Sequence, residues 1–282
     1  MRFGNGEESS NVEDRRGGGG RVGGRSIGIG TVLLAIGAWY FGIDPSFLFE
    51  GASLSQSSQQ EARPVQGSRH EEELKHFVGQ VLADTEKTWG AIFRASGKQY
   101  VEPHLVLFRG ATQTACGTGQ AAMGPFYCPA DQKVYIDLGF YDELQQRFKA
   151  PGDAAQAYVI AHEVGHHVQK LLGISEKVQR ARERLSEAQA NALSVKLELQ
   201  ADCLAGMWMY YANQERKILD AGDVEEVLGA ATAIGDDTLQ KSARGHVTPD
   251  SFTHGSAAQR MQWFRRGFES GKLQQCDTFR RE

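Results

Sequence analysis

The stretch AYVIAHEVGHHVQKLLG, residues 157–173, combines a mostly apolar run with several ionisable side chains. His162 and His166 are four residues apart, so on a helix both imidazoles lie on one face and can bind one metal ion. Glu163 lies beside them and can act as general base toward a water that a zinc ion activates. The H-E-x-x-H pattern therefore predicts a catalytic zinc site, and a purely structural histidine pair is the alternative.

A catalytic zinc site with two histidines needs a third protein ligand. A third histidine at the H-E-x-x-H-x-x-G-x-x-H spacing fails, because Gln169 and Leu172 occupy those positions. Glu198 lies in the apolar segment LELQADCLAGMW, where an unpartnered carboxylate is costly, and is the predicted third ligand. Asp202, four residues later, is predicted to accept the second N–H of a ligand histidine. Two ordinary surface acids are the alternative.

The remaining histidines differ in what their surroundings indicate. His254 follows a loop and begins a helix in DSFTHGSAAQRMQWF, so it is predicted to reach the substrate oxyanion; a surface or capping histidine is the alternative. His167 points about 100° away from His166 on a helix and is left out of the metal site. Four others lack any surrounding constellation and are predicted to be structural or exposed: His70, His76, His104 and His246.

The N-terminal quarter of the chain predicts a membrane anchor. Residues 1–26 contain RRGGGGRVGGR and are predicted to be a disordered cytoplasmic tail. Residues 27–43 are seventeen uncharged residues, the lower limit for a transmembrane helix, and the arginines that precede them place the N-terminus in the cytoplasm. A cleaved signal peptide is the alternative. Residues 44–70 are predicted to be a flexible linker, followed by a metallopeptidase domain over residues 71–282 that faces the periplasm or the exterior.

Charge and cysteine content limit the partners and the compartment. The formal net charge of −4 over 282 residues excludes a basic nucleic-acid-binding surface. All four cysteines lie after the predicted anchor, and an even count in an oxidising space indicates two disulfides. Cys116 and Cys128 flank a glycine-rich loop and form the natural local pair, which leaves Cys203 for Cys276. Four free or buried thiols are the alternative.

The folded part is predicted to be mostly α-helical with a small sheet. Hydrophobic periodicity predicts a helix over residues 71–95, and short apolar runs predict strands over residues 104–110 and 133–138 with a loop between them. Asp153 is placed to cap the helix that carries the histidine pair, and Gly173 to end it. The helical region that follows is predicted to be kinked near Ser186. The predicted fold class is α+β, mostly α.

Four separated segments carry a resemblance to a known family: AHEVGHHVQ, VKLELQADCLAGMW, GPFYCPADQKVYIDL and HGSAAQRMQWF. They resemble the bacterial neutral zinc metallopeptidases over about residues 77–279, together with the N-terminal anchor. A more distant similarity to gluzincin membrane proteases implies that His162, His166 and Glu198 bind Zn²⁺. The same similarity implies that His254 and Arg260, six residues apart, stabilise the transition state.

The resemblance implies a zincin-like fold in which an extended peptide or protein substrate pairs with an edge strand, for which KVYIDL is the candidate. The predicted function is therefore a membrane-anchored zinc endopeptidase. A catalytically silent metal-binding envelope scaffold and a zinc amidase acting on cell-wall peptides are the alternatives. Substrate specificity, oligomeric state and the metal used in the cell are left open by the sequence.

Overall fold

The computed structural model describes residues 1–3, 6–17, 67–147, 150 and 152–280. The strands of these ranges are β1 (Val12–Asp14), β2 (His104–Phe108), β3 (Ala111–Thr114), β4 (Gly117–Gln120), β5 (Phe126–Cys128) and β6 (Lys133–Asp137). The α-helices are α1 (Arg69–Ala95), α2 (Gly139–Gln146), α3 (Asp153–Leu171), α4 (Ile174–Arg182), α5 (Glu187–Arg216), α6 (Asp223–Ala233), α7 (Asp236–Arg244) and α8 (Ala257–Ser270). The predicted class, α+β and mostly α, is confirmed.

The main sheet has four strands in the order β1-β2-β6-β5. β1, β2 and β6 run parallel, and β5 is antiparallel to β6. The prediction that KVYIDL forms an edge strand is wrong, because β6 pairs on both sides. The region between the two predicted strands, expected to be loop, contains the β3–β4 hairpin and β5. β3 (ATQT) and β4 (GTGQ) lack the alternation of large apolar and polar residues that indicates a half-buried strand, and β5 has only three residues.

The sheet buries both faces, and alternate residues of its central strands divide between them. Leu105, Leu107, Val134 and Ile136 join the large core formed with the helices. The intervening residues, Val106, Phe108 and Tyr135, form a smaller cluster on the opposite face together with Cys128. This division follows from the period-2 alternation of side chains along a strand.

Helix α3 crosses the large core and is buried on almost every side. Its mostly small and apolar side chains allow α1, α5 and α6 to pack around it. Asp153 is the first helical residue rather than the cap, which is Gly152, and Gly173 follows the helix in a left-handed conformation with φ of 71°. The kink predicted near Ser186 is a complete break between α4 and α5, because Ser186 caps α5 with a capping box.

The first seventeen residues include an ordered N-terminal arm, residues 6–17, so the prediction of disorder is wrong for the described part of residues 1–26. β1 pairs with β2 over three residues, from Val12 opposite Leu105 onward. Arg16 is 3% exposed and bonds Asp14 at 2.6 Å and Glu72 at 2.8 Å. Composition alone could not predict that this arm pairs with the distant strand β2.

The predicted membrane segment, residues 27–43, lies outside the described residues, as does most of the predicted linker. Within the described ranges no helix combines the length and the apolar character needed to cross a bilayer. The linker prediction reached residue 70, but α1 already begins at Arg69, where Ser68 and Glu71 form a capping box.

Both predicted disulfides are present in the structure. Cys116–Cys128 joins the turn of the β3–β4 hairpin to the end of β5. Cys203–Cys276 joins α5 to the C-terminal segment across 73 residues of sequence. Each closes a loop whose freedom would otherwise favour the unfolded chain.

Candidate metal site

The H-E-x-x-H pair lies on α3 with its ligand nitrogens converging. His162 and Glu163 are buried, and the two imidazole rings of His162 and His166 stand 4.9 Å apart. Glu198 reaches the same place from α5, with carboxylate oxygens 3.1 Å from His162 Nε2 and 3.4 Å from His166 Nε2. One ligand atom from each of these three side chains lies within 4.8 Å of the others. The structure thus brings together the three residues predicted as zinc ligands.

The close approach of α5 to α3 depends on a glycine inside the motif. A Cβ at Gly165 would meet the backbone of Ala201 at 3.1 to 3.2 Å, which is tighter than ordinary packing. Without a side chain at that position, α5 lies near enough for Glu198 to reach both histidines. The glycine of H-E-V-G-H therefore has a packing role beside the chemical roles of its neighbours.

Asp202 holds His162 from behind, as the sequence predicted. Its Oδ1 accepts the His162 Nδ1–H at 2.8 Å, so Nε2 is the ring nitrogen that faces Glu198. Arg260 donates to both oxygens of this fully buried carboxylate at 2.9 Å, and the Tyr158 hydroxyl donates at 2.5 Å. Such a partner fixes the tautomer of a ligand histidine and raises its basicity.

Arg260 contacts the residues that support His162, and the transition-state role that the family resemblance implies for it stays a prediction. Its side chain is 3% exposed and is fully engaged by Asp202 and Tyr158. Its spacing from His254 is as predicted, but its contacts assign it to holding Asp202.

His166 has a partner that the sequence analysis considered only as a failed ligand position. The side-chain oxygen of Gln169, which is completely buried, accepts the His166 Nδ1–H at 2.9 Å. Its amide nitrogen donates to the Leu197 carbonyl at 2.7 Å. The signal was present in the sequence, because Gln169 lies three residues after His166 and hence on the same helix face.

The charged groups of the site shift one another's pKa values. Burial lowers the pKa of His162, but Asp202 and the hydrogen bond to Glu198 outweigh it and raise the pKa to about 10. Burial raises the pKa of Glu198, yet the imidazoles outweigh it and keep the pKa well below its usual range. The pKa of Asp202, opposed by burial and lowered by Arg260 and His162, falls to about 2.

These donor atoms fit a zinc ion. Two imidazole nitrogens and one carboxylate oxygen lie within 4.8 Å of one another, and these are ligand types that catalytic zinc sites use. The side chains of His166 and Glu198 remain 15% and 18% exposed, so solvent reaches the site from one side. Burial raises the pKa of the Glu163 carboxyl toward the range that suits a general base.

His254 lies near this group and is held by an acid that the sequence analysis missed. Its Nδ1 is 3.3 Å from Asp236, whose other oxygen accepts the backbone N–H groups of Thr253, His254 and Gly255. Burial lowers the pKa of His254, but Asp236 and Glu198 outweigh it and the net shift is upward. The imidazole is 42% exposed and stays open to a ligand.

His167 is structural, in agreement with its exclusion from the metal site. Its Nε2 donates to the Val101 carbonyl at 2.6 Å, so its Nδ1 accepts from the Tyr127 hydroxyl at 3.0 Å. These bonds join α3 to β5 and to the segment before β2. Burial lowers the pKa of His167 to about 4, which keeps the ring neutral.

Comparison with known proteins agrees with this geometry. The model of a family described as "Putative neutral zinc metallopeptidase" matches residues 1–279. The chain belongs to this family. "Uncharacterized protein YpfJ" of Escherichia coli K12 is 50% identical over 288 residues, 99% of each chain. "Uncharacterized protein Rv2575" of Mycobacterium tuberculosis H37Rv is 39% identical over 218 residues, 73% of this chain and 72% of the relative. No solved structure matches.

Family membership covers more than the residues around the histidines. The match includes residues 1–17, so the arm that pairs with β2 lies inside the matched region. The family therefore indicates a zinc hydrolase, and the residue roles must come from the geometry of the site.

Proposed function

We propose that the chain is a zinc-dependent peptidase in which His162, His166 and Glu198 hold the metal. The observation that carries the proposal is the convergence of their ligand atoms, with both Nδ1 atoms held by buried acceptors. When bound, zinc supplies a Lewis acid that lowers the pKa of water and polarises a carbonyl.

The chain's own residues account for proton movement and for charge stabilisation. Glu163 takes a proton from water and passes it to the leaving amine, and its raised pKa suits both steps. His254, which Asp236 holds and whose raised pKa favours the charged form, donates toward the oxygen where negative charge develops. These are the roles that the sequence predicts for Glu163 and His254.

Within the described residues, β5 is the edge of the main sheet next to α3, which supports an extended peptide as the substrate. β5 ends the sheet, and its Tyr127 bonds His167 on α3, one residue from the motif. A peptide added as a further strand along β5 would run beside the active-site helix. β5 therefore replaces β6 as the candidate substrate-binding edge.

The compartment is part of the proposal. Two disulfides, with Cys128, Cys203 and Cys276 completely buried, favour an oxidising space outside the cytoplasm. The membrane anchor over residues 27–43 stays a prediction. The orientation with a cytoplasmic N-terminus also stays a prediction, and it requires the N-terminal arm to be separated from β2.

The test compares zinc content with turnover in the full chain. Glu163→Gln should retain one zinc per chain and lose about 10²- to 10⁴-fold in cleavage of a mixed peptide library, because only the base is removed. Glu183→Gln, at an exposed acid after α4, is the matched control and should cleave normally. Full turnover by Glu163→Gln would contradict the assignment of the base. Zinc binding without cleavage by the native chain would favour a metal-binding scaffold.

A further inference from the structure

A line of hydrogen bonds continues from His166 through the protein to the C-terminal segment. Gln169 donates its amide N–H to the Gln200 side-chain oxygen at 3.1 Å. Gln200 in turn donates to the backbone carbonyl of Cys276 at 2.9 Å. We propose that this amide relay, made of Gln169, Gln200 and the Cys276 carbonyl, positions His166 for metal binding and is anchored by the Cys203–Cys276 disulfide. The proposal rests on the proposed zinc site.

The direction of the relay follows from its terminal groups. A backbone carbonyl only accepts, so the Cys276 carbonyl requires the amide nitrogen of Gln200 to face it. The oxygen of Gln200 must then face Gln169, and Leu197 supplies a second acceptor that requires the Gln169 nitrogen on the same side. The Gln169 oxygen is left facing His166, where it can only accept.

The polarity of the relay decides which nitrogen of His166 carries the proton. With Nδ1–H bonded to Gln169, Nε2, the nitrogen that faces Glu198, is the one left to bind a metal. Asp202 enforces the same tautomer on His162 with a full negative charge. For His166, neutral amides favour this tautomer, so the ring is oriented without a second buried carboxylate.

The disulfide fixes the far end of the relay. Gln200 and Cys203 lie one turn apart on α5, and Cys203 is bonded to Cys276, whose carbonyl ends the relay. Gln169 is 0%, Gln200 5% and Cys276 0% exposed, so water does not compete for these bonds. Thr278 also joins the C-terminal segment to α5, because its hydroxyl donates to the Lys196 carbonyl.

The relay makes a prediction that a simple acceptor role would not. Gln169→Glu keeps an oxygen for His166, and a carboxylate is the stronger acceptor. Its second oxygen, however, would face two acceptors, the Leu197 carbonyl and the Gln200 oxygen. Gln200 cannot turn to relieve this, because its own oxygen would then face the Cys276 carbonyl.

The first measurement is zinc affinity of the full chain by competition with a chelator. Gln169→Leu and Gln169→Glu should each weaken zinc binding about 10- to 100-fold, and Gln200→Leu about 10-fold or less, because Leu197 still holds Gln169. Gln214→Leu makes the same change at an exposed position on α5 and should leave affinity unchanged. Unchanged or tighter binding by Gln169→Glu would overturn the relay.

The disulfide is tested with a matched pair of variants. Replacing Cys203 and Cys276 together by alanine should weaken zinc binding about 10-fold, whereas replacing Cys116 and Cys128 together should not. The second pair removes a disulfide that takes no part in the hydrogen bonds of the relay. Equal zinc affinities for the two double variants would remove the disulfide from the proposal.

A readout without metal separates this proposal from the proposed function. Glu198→Ala removes the carboxylate that also faces His166 Nε2. In this zinc-free variant at alkaline pH, the ¹⁵N chemical shifts of His166 should report a proton on Nδ1, and adding Gln169→Leu should allow the other tautomer. If this pattern is found but the native chain binds no zinc, the proposed function fails and the relay stands. A proton on Nε2 in the Glu198→Ala variant would overturn the relay.

Discussion

At the scale of single residues, the site consists of buried charges that depend on one another. Asp202 accepts from His162, Tyr158 and Arg260, and every one of these contacts is buried. Removing one member leaves another charge in a low-dielectric interior without its partner, which costs more than the pair contributes.

We therefore expect Arg260→Met to lower the free energy of unfolding of the zinc-free protein by about 3 to 5 kcal/mol. The methionine fills much of the volume but leaves the Asp202 carboxylate without its guanidinium. Denaturant unfolding measures the effect. Arg265→Met, at an exposed position of the same helix, should stay within about 0.5 kcal/mol of the native protein. Equal stabilities for the two variants would show that Arg260 is not structurally engaged.

Asp236 gives a prediction for the dependence of stability on pH. Burial opposes its ionisation, but the His254 side chain and the backbone N–H groups of His254 and Gly255 hold its pKa below the ordinary value of 3.8. A lowered folded pKa stabilises the protein above about pH 5, and the contribution disappears as the pH falls through that folded pKa. Asp236→Asn should cost about 1 to 3 kcal/mol at pH 7, and the difference should shrink in acid. A difference that is constant between pH 7 and pH 3 would contradict this account.

At the scale of elements, the position of Arg260 depends on the close packing of α8 against α5. A Cβ at Gly267 would lie 1.9 Å from the Cys203 carbonyl oxygen, and one at Gly206 would lie 2.1 Å from the Phe264 carbonyl oxygen. Both obstructions are backbone atoms, so neither can be relieved by turning a side chain. The two helices can approach to this distance only with glycine at these positions.

Gly267→Ala should force α8 away from α5 and lower the free energy of unfolding by about 1 to 3 kcal/mol. Zinc affinity should fall as well, because Arg260 would move with α8 and loosen Asp202. Thermal unfolding and chelator competition measure the two effects. Gly229→Ala on α6, where an added Cβ meets nothing within 4 Å, should be neutral or stabilising. A native-like Gly267→Ala protein would contradict the close packing.

At the scale of the whole molecule, the N-terminal arm and the domain form one structure. β1 extends the sheet, and Arg16 is buried among carboxylates from the arm and from α1. A single membrane crossing within residues 27–43 would put the arm and the domain on opposite sides of the bilayer. The two arrangements exclude each other, because a strand cannot pair with β2 through a membrane.

We expect the arm and the domain to be in the same compartment. Single cysteines introduced by Ser10→Cys and Lys98→Cys, both at exposed positions, should then react alike with a membrane-impermeant maleimide on intact cells. The native cysteines are paired and do not compete. Labelling at Lys98→Cys but not at Ser10→Cys would support the cytoplasmic tail and show that the arm is undocked in the cell.

The sequence by itself determined the features whose geometry is local. The helical repeat places His162 and His166 on one face of α3. It likewise places Glu198 and Asp202 on one face of α5, whatever the two helices pack against. The apolar segment around Glu198 distinguished it from the other glutamates as the third ligand, because burying a lone carboxylate is costly. The cysteine pairing also followed, since one short loop joins two of the four.

Only the tertiary structure decided the features that depend on distant segments coming together. The order of the strands depends on such pairings: residues 12–14 pair with β2, more than ninety residues away in sequence, and β6 lies inside the sheet because both β2 and β5 pair with it. The role of Arg260 depends on whether it reaches Asp202 or the substrate, and its spacing from His254 is the same in both cases. Gln200 acquires its function only because Cys276 folds back against α5. Local periodicity determines which face of an element a residue occupies, but packing alone determines what that face meets.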